Sequence, residues 1–236
     1  MPAKSFSQSD EASTPDPSSN GTRTENVYSA LRAEILAGAL MPSARLRLVE
    51  LAERFAVSQT VIREALTRLA AQKIVTSTPQ QGFRVAALTI SDLTELTEAR
   101  SYIEGTVLAL AIQRGDIQWE ASVVASHHQL LRTPVRLASG GTNPEWMAVH
   151  EVFHAKLFEG CANERLRHVA LTLRDAAALY RAWSGSIGQG RDRDLASEHH
   201  GLLEAVLARD PDLAVERLRQ HIEHTSAALL AVAERA

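Results

Sequence analysis

Apolar residues recur at Val27, Leu31, Ile35 and Leu36, following a stretch that has almost none. That spacing predicts a helix, which Gly38 and then Pro42 end. Residues 1–24, "MPAKSFSQSDEASTPDPSSNGTRT", are rich in Ser, Thr and Pro. They carry too little apolar surface to offset their ordering entropy, so composition makes them a disordered tail. Further helices are predicted from about Val49 to Phe55 and from Gln59 to Gln72. The stretch "IVTSTPQQGFRVAAL" alternates apolar and polar residues around Pro79 and Gly82, as a small β-hairpin does. From Ser91 onward every apolar pattern is helical. Ser91 and Asp92 stand where the first of these helices would be capped, and Gly115 where it would end. Others fit 117–138, 144–160, 163–184, 192–209 and 211–233, with breaks at "ASGGTNP", "GCAN", "SGSIGQG" and "RDP". The expected fold is mainly α: a winged helix-turn-helix over 25–88, of three helices and a small β-hairpin, then an all-α antiparallel helical bundle over 89–236.

The charge distribution supports this division. Residues 25–88 hold eight Lys/Arg against five Glu, a net of +3, whereas 89–236 hold fifteen basic and twenty acidic residues, a net of −5. All nine histidines lie in the second part. A basic segment followed by an acidic, histidine-bearing one suggests two domains with different partners. The single cysteine, Cys161, excludes an internal disulfide. No apolar run approaches the ~20 residues of a membrane helix, and the N-terminus lacks the apolar core of a secretory signal. A cytoplasmic protein with no membrane partner is expected.

Within the first domain, "LVELAERFAVSQTVIREALTRL" meets the demands of a helix-turn-helix. Leu48, Leu51, Ala52 and Phe55 form an inward face, Val57 fills the turn, and Ser58 caps the next helix. Ile62, Ala65, Leu66 and Leu69 bury that helix's back, leaving Gln59, Thr60, Arg63 and Arg68 outward. A recognition helix needs this split between an anchored apolar back and a polar N-terminal half. Arg63 can donate both its terminal groups to guanine, and Gln59 can pair with adenine. In the hairpin, Gly82 allows close backbone approach to a phosphate, with Arg84 adjacent. Arg45 and Arg47 complete the candidate DNA-binding set.

These residues carry a resemblance. "LRAEILAGALMPSARLRLVELAERFAVSQTVIREALTRLAAQKIV" is similar to the winged helix of the GntR family of bacterial transcription regulators. The family's commonest recognition-helix form, V-S-R-T-P-V-R-E-A-L, reads "VSQTVIREAL" here. Gln59 replaces an arginine, Thr60-Val61 depart from Thr-Pro, and Lys73 replaces a usual glycine. The first change leaves the operator sequence open.

In the second domain the run "HEVFH", residues 150–154, has the H-E-x-x-H form of a zinc protease. On a helix His150 and His154 differ by about 40° and one turn, so both face one side, while Glu151 is turned about 100° away toward solvent. The continuations that supply a protease's third ligand are missing: Leu157 and Gly160 stand where Gly and His are needed, and Glu164 is too close. A zinc-dependent hydrolase using this motif is the alternative reading. Two more histidine regions, "SEHHGLLEAVLARD" and "RLRQHIEHTSAAL", fall on later amphipathic helices. A bundle can converge His150, His154, His199 or His200, and His221 on one point.

Residues 91–233 resemble the FCD ligand-binding domain of the FadR-type GntR subfamily. The likeness rests on "EARSYIEGTVLALAI", "VHEVFHAKLFEGCANERL" and "EHHGLLEAVLARDPDLAVERLRQHI". The resemblance implies a divalent transition metal, zinc or nickel, held by an Asp and three His. The three align with His154, His199 and His221, and His150 occupies the aspartate position. It also implies a small carboxylate effector, for which Arg100 and then Arg174 are candidates; Arg100 has an equal alternative as an ion pair with Glu104. The expected protein is a homodimeric repressor on a double-stranded DNA operator, modulated by a metal-linked organic acid, and not an enzyme.

Overall fold

A computed structural model describes residues 17–87, 89–184 and 194–233. Helix α1 spans Pro17–Leu36, α2 Leu48–Phe55 and α3 Gln59–Ala71. Thus α1 takes in residues 17–24, which composition places in the disordered tail. Thr24 is buried and its hydroxyl donates to Glu64 at 3.3 Å, so contact with α3 secures this turn despite its polarity. Residues 1–16 and Leu88 lie outside the described residues, as do the break expected at "SGSIGQG" beyond Ser184 and the helix start expected at 192.

The α2–α3 turn forms as the pattern predicts: Ser58 Oγ accepts from the Val61 N–H, capping α3. Its buried face is Val61, Ile62, Ala65, Leu66 and Leu69, packed on Leu31 and Ile35 of α1. At the other end Lys73 takes φ 60°, and the Ile74 N–H returns to the Leu69 carbonyl at 3.1 Å. This is the left-handed helix stop that glycine usually occupies. Strands β1 (Arg45–Leu46), β2 (Val75–Thr78) and β3 (Gly82–Val85) make an antiparallel sheet in the order β1-β3-β2. The hairpin is as expected, and β1 is an added strand too short for alternation to reveal. Its register sets Arg45 directly opposite Arg84.

The second domain is the expected bundle: α4 (Ile90–Arg114), α5 (Ile117–Arg132), α6 (Pro144–Glu159), α7 (Glu164–Ser184), α8 (Leu195–Leu207) and α9 (Pro211–Ala233). The cap of α4 is Thr89, whose Oγ1 accepts from the Asp92 N–H at 3.1 Å, rather than Ser91 or Asp92. Helix α5 stops at Arg132, short of the expected 138, because Pro134 forces Thr133 into extended backbone. Phe153, Leu157, Phe158, Leu108 and Ile112 lie in one continuous core, each burial worth about 2 kcal/mol.

Helix α7 belongs to both halves. Its Leu179 lies in the winged-helix core, its Asp175 pairs with Arg32 of α1, and its Tyr180 hydroxyl donates to Asp92 at 2.6 Å.

An L-residue in left-handed backbone costs about 1–2 kcal/mol, partly offset by the unfolded-state freedom a glycine would add. Lys73 is exposed and makes no side-chain bond among the described residues. Lys73→Gly is therefore expected to stabilise the protein by about 0.5–1 kcal/mol in urea unfolding.

Candidate metal centre and charge network

Four histidines from three helices converge inside the bundle. His150 and His154 come from α6, His199 from α8 and His221 from α9; all are buried, and their donor atoms lie within 4.8 Å of one another. The exposed His200 pairs with Glu204 at 3.4 Å, so the choice left open between His199 and His200 falls to His199. Donors around one zinc ion, with bonds of about 2.0–2.1 Å, stand roughly 3–4 Å apart, so the set needs only a small contraction. Neither ring nitrogen of His154, wholly buried, has a hydrogen-bond partner among the described residues. A buried imidazole without partners is costly unless something else satisfies it, and a metal would do so. The Glu198 carboxylate accepts from His221 Nδ1 at 2.8 Å, which fixes the tautomer and puts the ring's lone pair on Nε2, the atom that could bind a metal. Trp146 stacks on His150 with ring centroids 4.8 Å apart. The residues fit a divalent transition metal.

Beside the histidines lies a network of buried charge. Arg100 Nε donates to Glu104 at 2.5 Å, realising the intrahelical pair weighed against a ligand role. Arg174, 2% exposed, donates to Glu104 at 3.3 Å and to Glu151 at 3.1 Å. Arg181 donates to Glu151 at 2.5 Å. The expectation that Glu151 faces solvent is corrected: these two guanidiniums on α7 draw its carboxylate back to the bundle, leaving it one-third exposed (34%). Burial would push Glu151 up, but Arg181 and then Arg174 hold it well below the usual carboxylate range. Burial lowers Arg181 to about 10. Sequence reasoning missed Arg181, Glu198 and Trp146. Arg181 stands seven residues, two turns, after Arg174, which was the one signal available.

In the winged helix, Ser58, Gln59, Thr60 and Arg63 are exposed at the N-terminal end of α3, and the Arg63 guanidinium has no partner among the described residues. Arg45, Arg47, Gly82 and Arg84 are exposed as well; Arg47 pairs with Glu50, and Arg84 donates to the Ser43 carbonyl at 3.0 Å. Arg68 is turned to α1, where it pairs with Glu25 at 2.9 Å and lies over Tyr28. It therefore joins α3 to α1.

The pattern described as "Bacterial regulatory proteins, gntR family" matches residues 23–85, and that of the FCD domain matches 95–224. The chain belongs to the GntR family. Its FCD domain fits the FadR-type branch. It is 35% identical over 198 residues to the HTH-type transcriptional repressor GlaR of Escherichia coli, covering 83% of this chain and 90% of that protein. Identity to the regulator BphR of Paraburkholderia xenovorans is 32% over 206 residues, covering 84% and 82%. Among solved structures, E. coli McbR/YncC shares the fold with a TM-score of 0.75, 24% identity, and coverage of 89% and 97%. This GntR regulator is a DNA-binding transcription factor, not an enzyme, and the hydrolase reading of "HEVFH" is set aside. Glu151, held by two arginines, is also unsuited to take a proton from a metal-bound water. Among the described residues no helix is long and apolar enough to cross a membrane.

The histidine rings set a pH dependence. Burial lowers His150 to about 3, and burial followed by Arg174 lowers His154 well below 6.5. The unfolded chain protonates them near 6.5 while the folded protein does not, so stability is present above that value and falls as pH drops below it. Each ring weakens the fold by about 1.4 kcal/mol per pH unit. Urea unfolding of chelator-treated protein is expected to lose roughly 2–3 kcal/mol between pH 7.5 and 5.5. A flat profile would contradict the burial of neutral rings.

Proposed function

We propose that the protein is a homodimeric repressor whose operator affinity responds to a small carboxylate bound near a metal in the helical domain. The observation that carries this reading is the buried convergence of four histidines beside three buried arginines, in a domain joined to a winged helix. Four neutral imidazoles leave a divalent ion's charge uncancelled, which favours an anionic ligand. Nitrogen donors without a carboxylate also favour zinc or nickel over manganese. When bound, the metal supplies a Lewis-acidic centre for an oxygen ligand. His150, His154, His199 and His221 would hold it, Glu198 orients His221, and Arg100 and Arg174 provide positive charge beside it.

On the DNA side, Gln59, Thr60 and Arg63 are assigned to base edges and Ser58 to the backbone at the start of α3. Arg45, Arg47, Gly82 and Arg84 are assigned to phosphates. Like charges directly opposite on neighbouring strands repel, so Arg45 across from Arg84 is an arrangement that a phosphate would stabilise. One recognition helix reads few base pairs, and two copies on a two-fold axis supply the second half-site. GlaR, to which the chain is similar, is a transcriptional repressor, which supports repression as the output.

The test is a titration of purified protein on the DNA upstream of its own gene, at two salt concentrations, with and without chelator. Specific binding that weakens with salt and shifts on chelation is expected. Arg63→Ala should cost about 10- to 100-fold in specific affinity, consistent with roughly 1–3 kcal/mol for a lost bidentate base contact. Operator binding indifferent to chelation would remove the metal from the control of DNA binding.

A further inference from the structure

Glu151 is the residue of the H-E-x-x-H run to which the metal reading gives no task. Its Oε1 lies 2.5 Å from Arg181 Nη2 and its Oε2 3.1 Å from Arg174 Nη2, with His150 Nδ1 3.3 Å away. Both guanidiniums are buried, whereas the glutamate is the accessible member of the group. Two buried guanidiniums converging on one carboxylate form the arrangement by which proteins bind organic acids. Here the carboxylate belongs to the chain itself.

We propose that the Arg174–Arg181 cradle is a carboxylate-ligand site that Glu151 occupies as an internal stand-in, latching α6 to α7 until an external acid displaces it. The inference rests on the carboxylate-effector reading and adds how binding reaches the DNA domain. Three observations converge on it. Glu151 is the most exposed member of the group, at 34% of its side chain against 2% for Arg174 and 3% for Arg181, so it is the one that can leave. The exchange conserves charge, because one carboxylate replaces another on the same arginines; a neutral or cationic ligand would not. Arg174 also keeps Glu104, so the cradle persists while the latch opens.

The effect is carried by α7. Asp175, next to Arg174, pairs with Arg32 of α1; Leu179 is part of the winged-helix core; and Tyr180 bonds Thr89 and Asp92 where α4 begins. Glu151 is an ion-pair link from the helix bearing His150 and His154 to α7, which packs against the DNA domain. Opening it frees α7 to shift relative to the metal centre. A ligand that binds only the open state has its affinity reduced by the fraction of protein that is open. Removing the stand-in's charge therefore raises that affinity.

The test uses the full chain with metal content verified, titrated calorimetrically with sodium succinate against sodium chloride at matched ionic strength. Glu151→Gln is expected to bind succinate at least tenfold more tightly than the unaltered protein and to release operator DNA at correspondingly lower succinate. Succinate should also raise its melting temperature by more. Equal or weaker succinate affinity in the folded, metal-loaded variant overturns the latch, as does an absence of succinate binding in that variant. Should Glu151→Gln fail to fold, Glu151→Asp draws the charge back by one methylene; tighter binding there supports the latch and unchanged or weaker binding overturns it. Operator binding that ignores chelator in the unaltered protein would overturn the parent reading of metal control, while the succinate comparison still decides the latch.

Discussion

A charged group taken out of water must be matched, and the helical domain is organised around that constraint. Arg100, Arg174 and Arg181 are buried together with Glu104, and Glu151 completes the network from the edge. Removing one partner from such a group typically costs 3–5 kcal/mol, because the other charge stays behind in a poor dielectric. The network therefore ties α4, α6 and α7 into one arrangement more firmly than apolar packing alone, and it does so next to the histidine centre. A scaffold stiff in one arrangement suits two discrete states better than a continuous range.

The five residues "HEVFH" show how little a short motif decides. The helix places His150 and His154 on the inward side, as the 3.6-residue period requires. The same period turns Glu151 away, but a side chain with several torsions can swing back toward a partner. Arg174 and Arg181 on α7 provide that partner, and nothing within residues 150–154 announces them. The chemical character of the glutamate is set by a helix that begins at Glu164.

What the sequence revealed follows the range of the interactions involved. Ser58 capping α3, the buried face from Ile62 to Leu69 and the hairpin around Gly82 depend on neighbours a few residues away, and local pattern exposed them. The histidine cluster required both the family likeness and helical phase, since His221 lies far along the chain from His150. The adjacent histidines at 199 and 200 could be separated only by packing. Strand β1 has two residues and owes its existence to pairing with β3, which no alternation could display. Arg181 and Glu198 act through contacts between helices, so their own surroundings in the chain carry no sign of the role.

Leu179 has a consequence for how such chains are assembled. The winged helix is completed by a residue contributed from the middle of the other domain, so a cut near residue 88 would remove part of its interior and bare the apolar surface beneath. The two halves are separable by pattern and by charge, yet not by core. Recombination that joined this winged helix to a foreign partner would succeed only where the newcomer offered a bulky apolar side chain at the same spot. The two halves thus share a patch of interior as well as a chain.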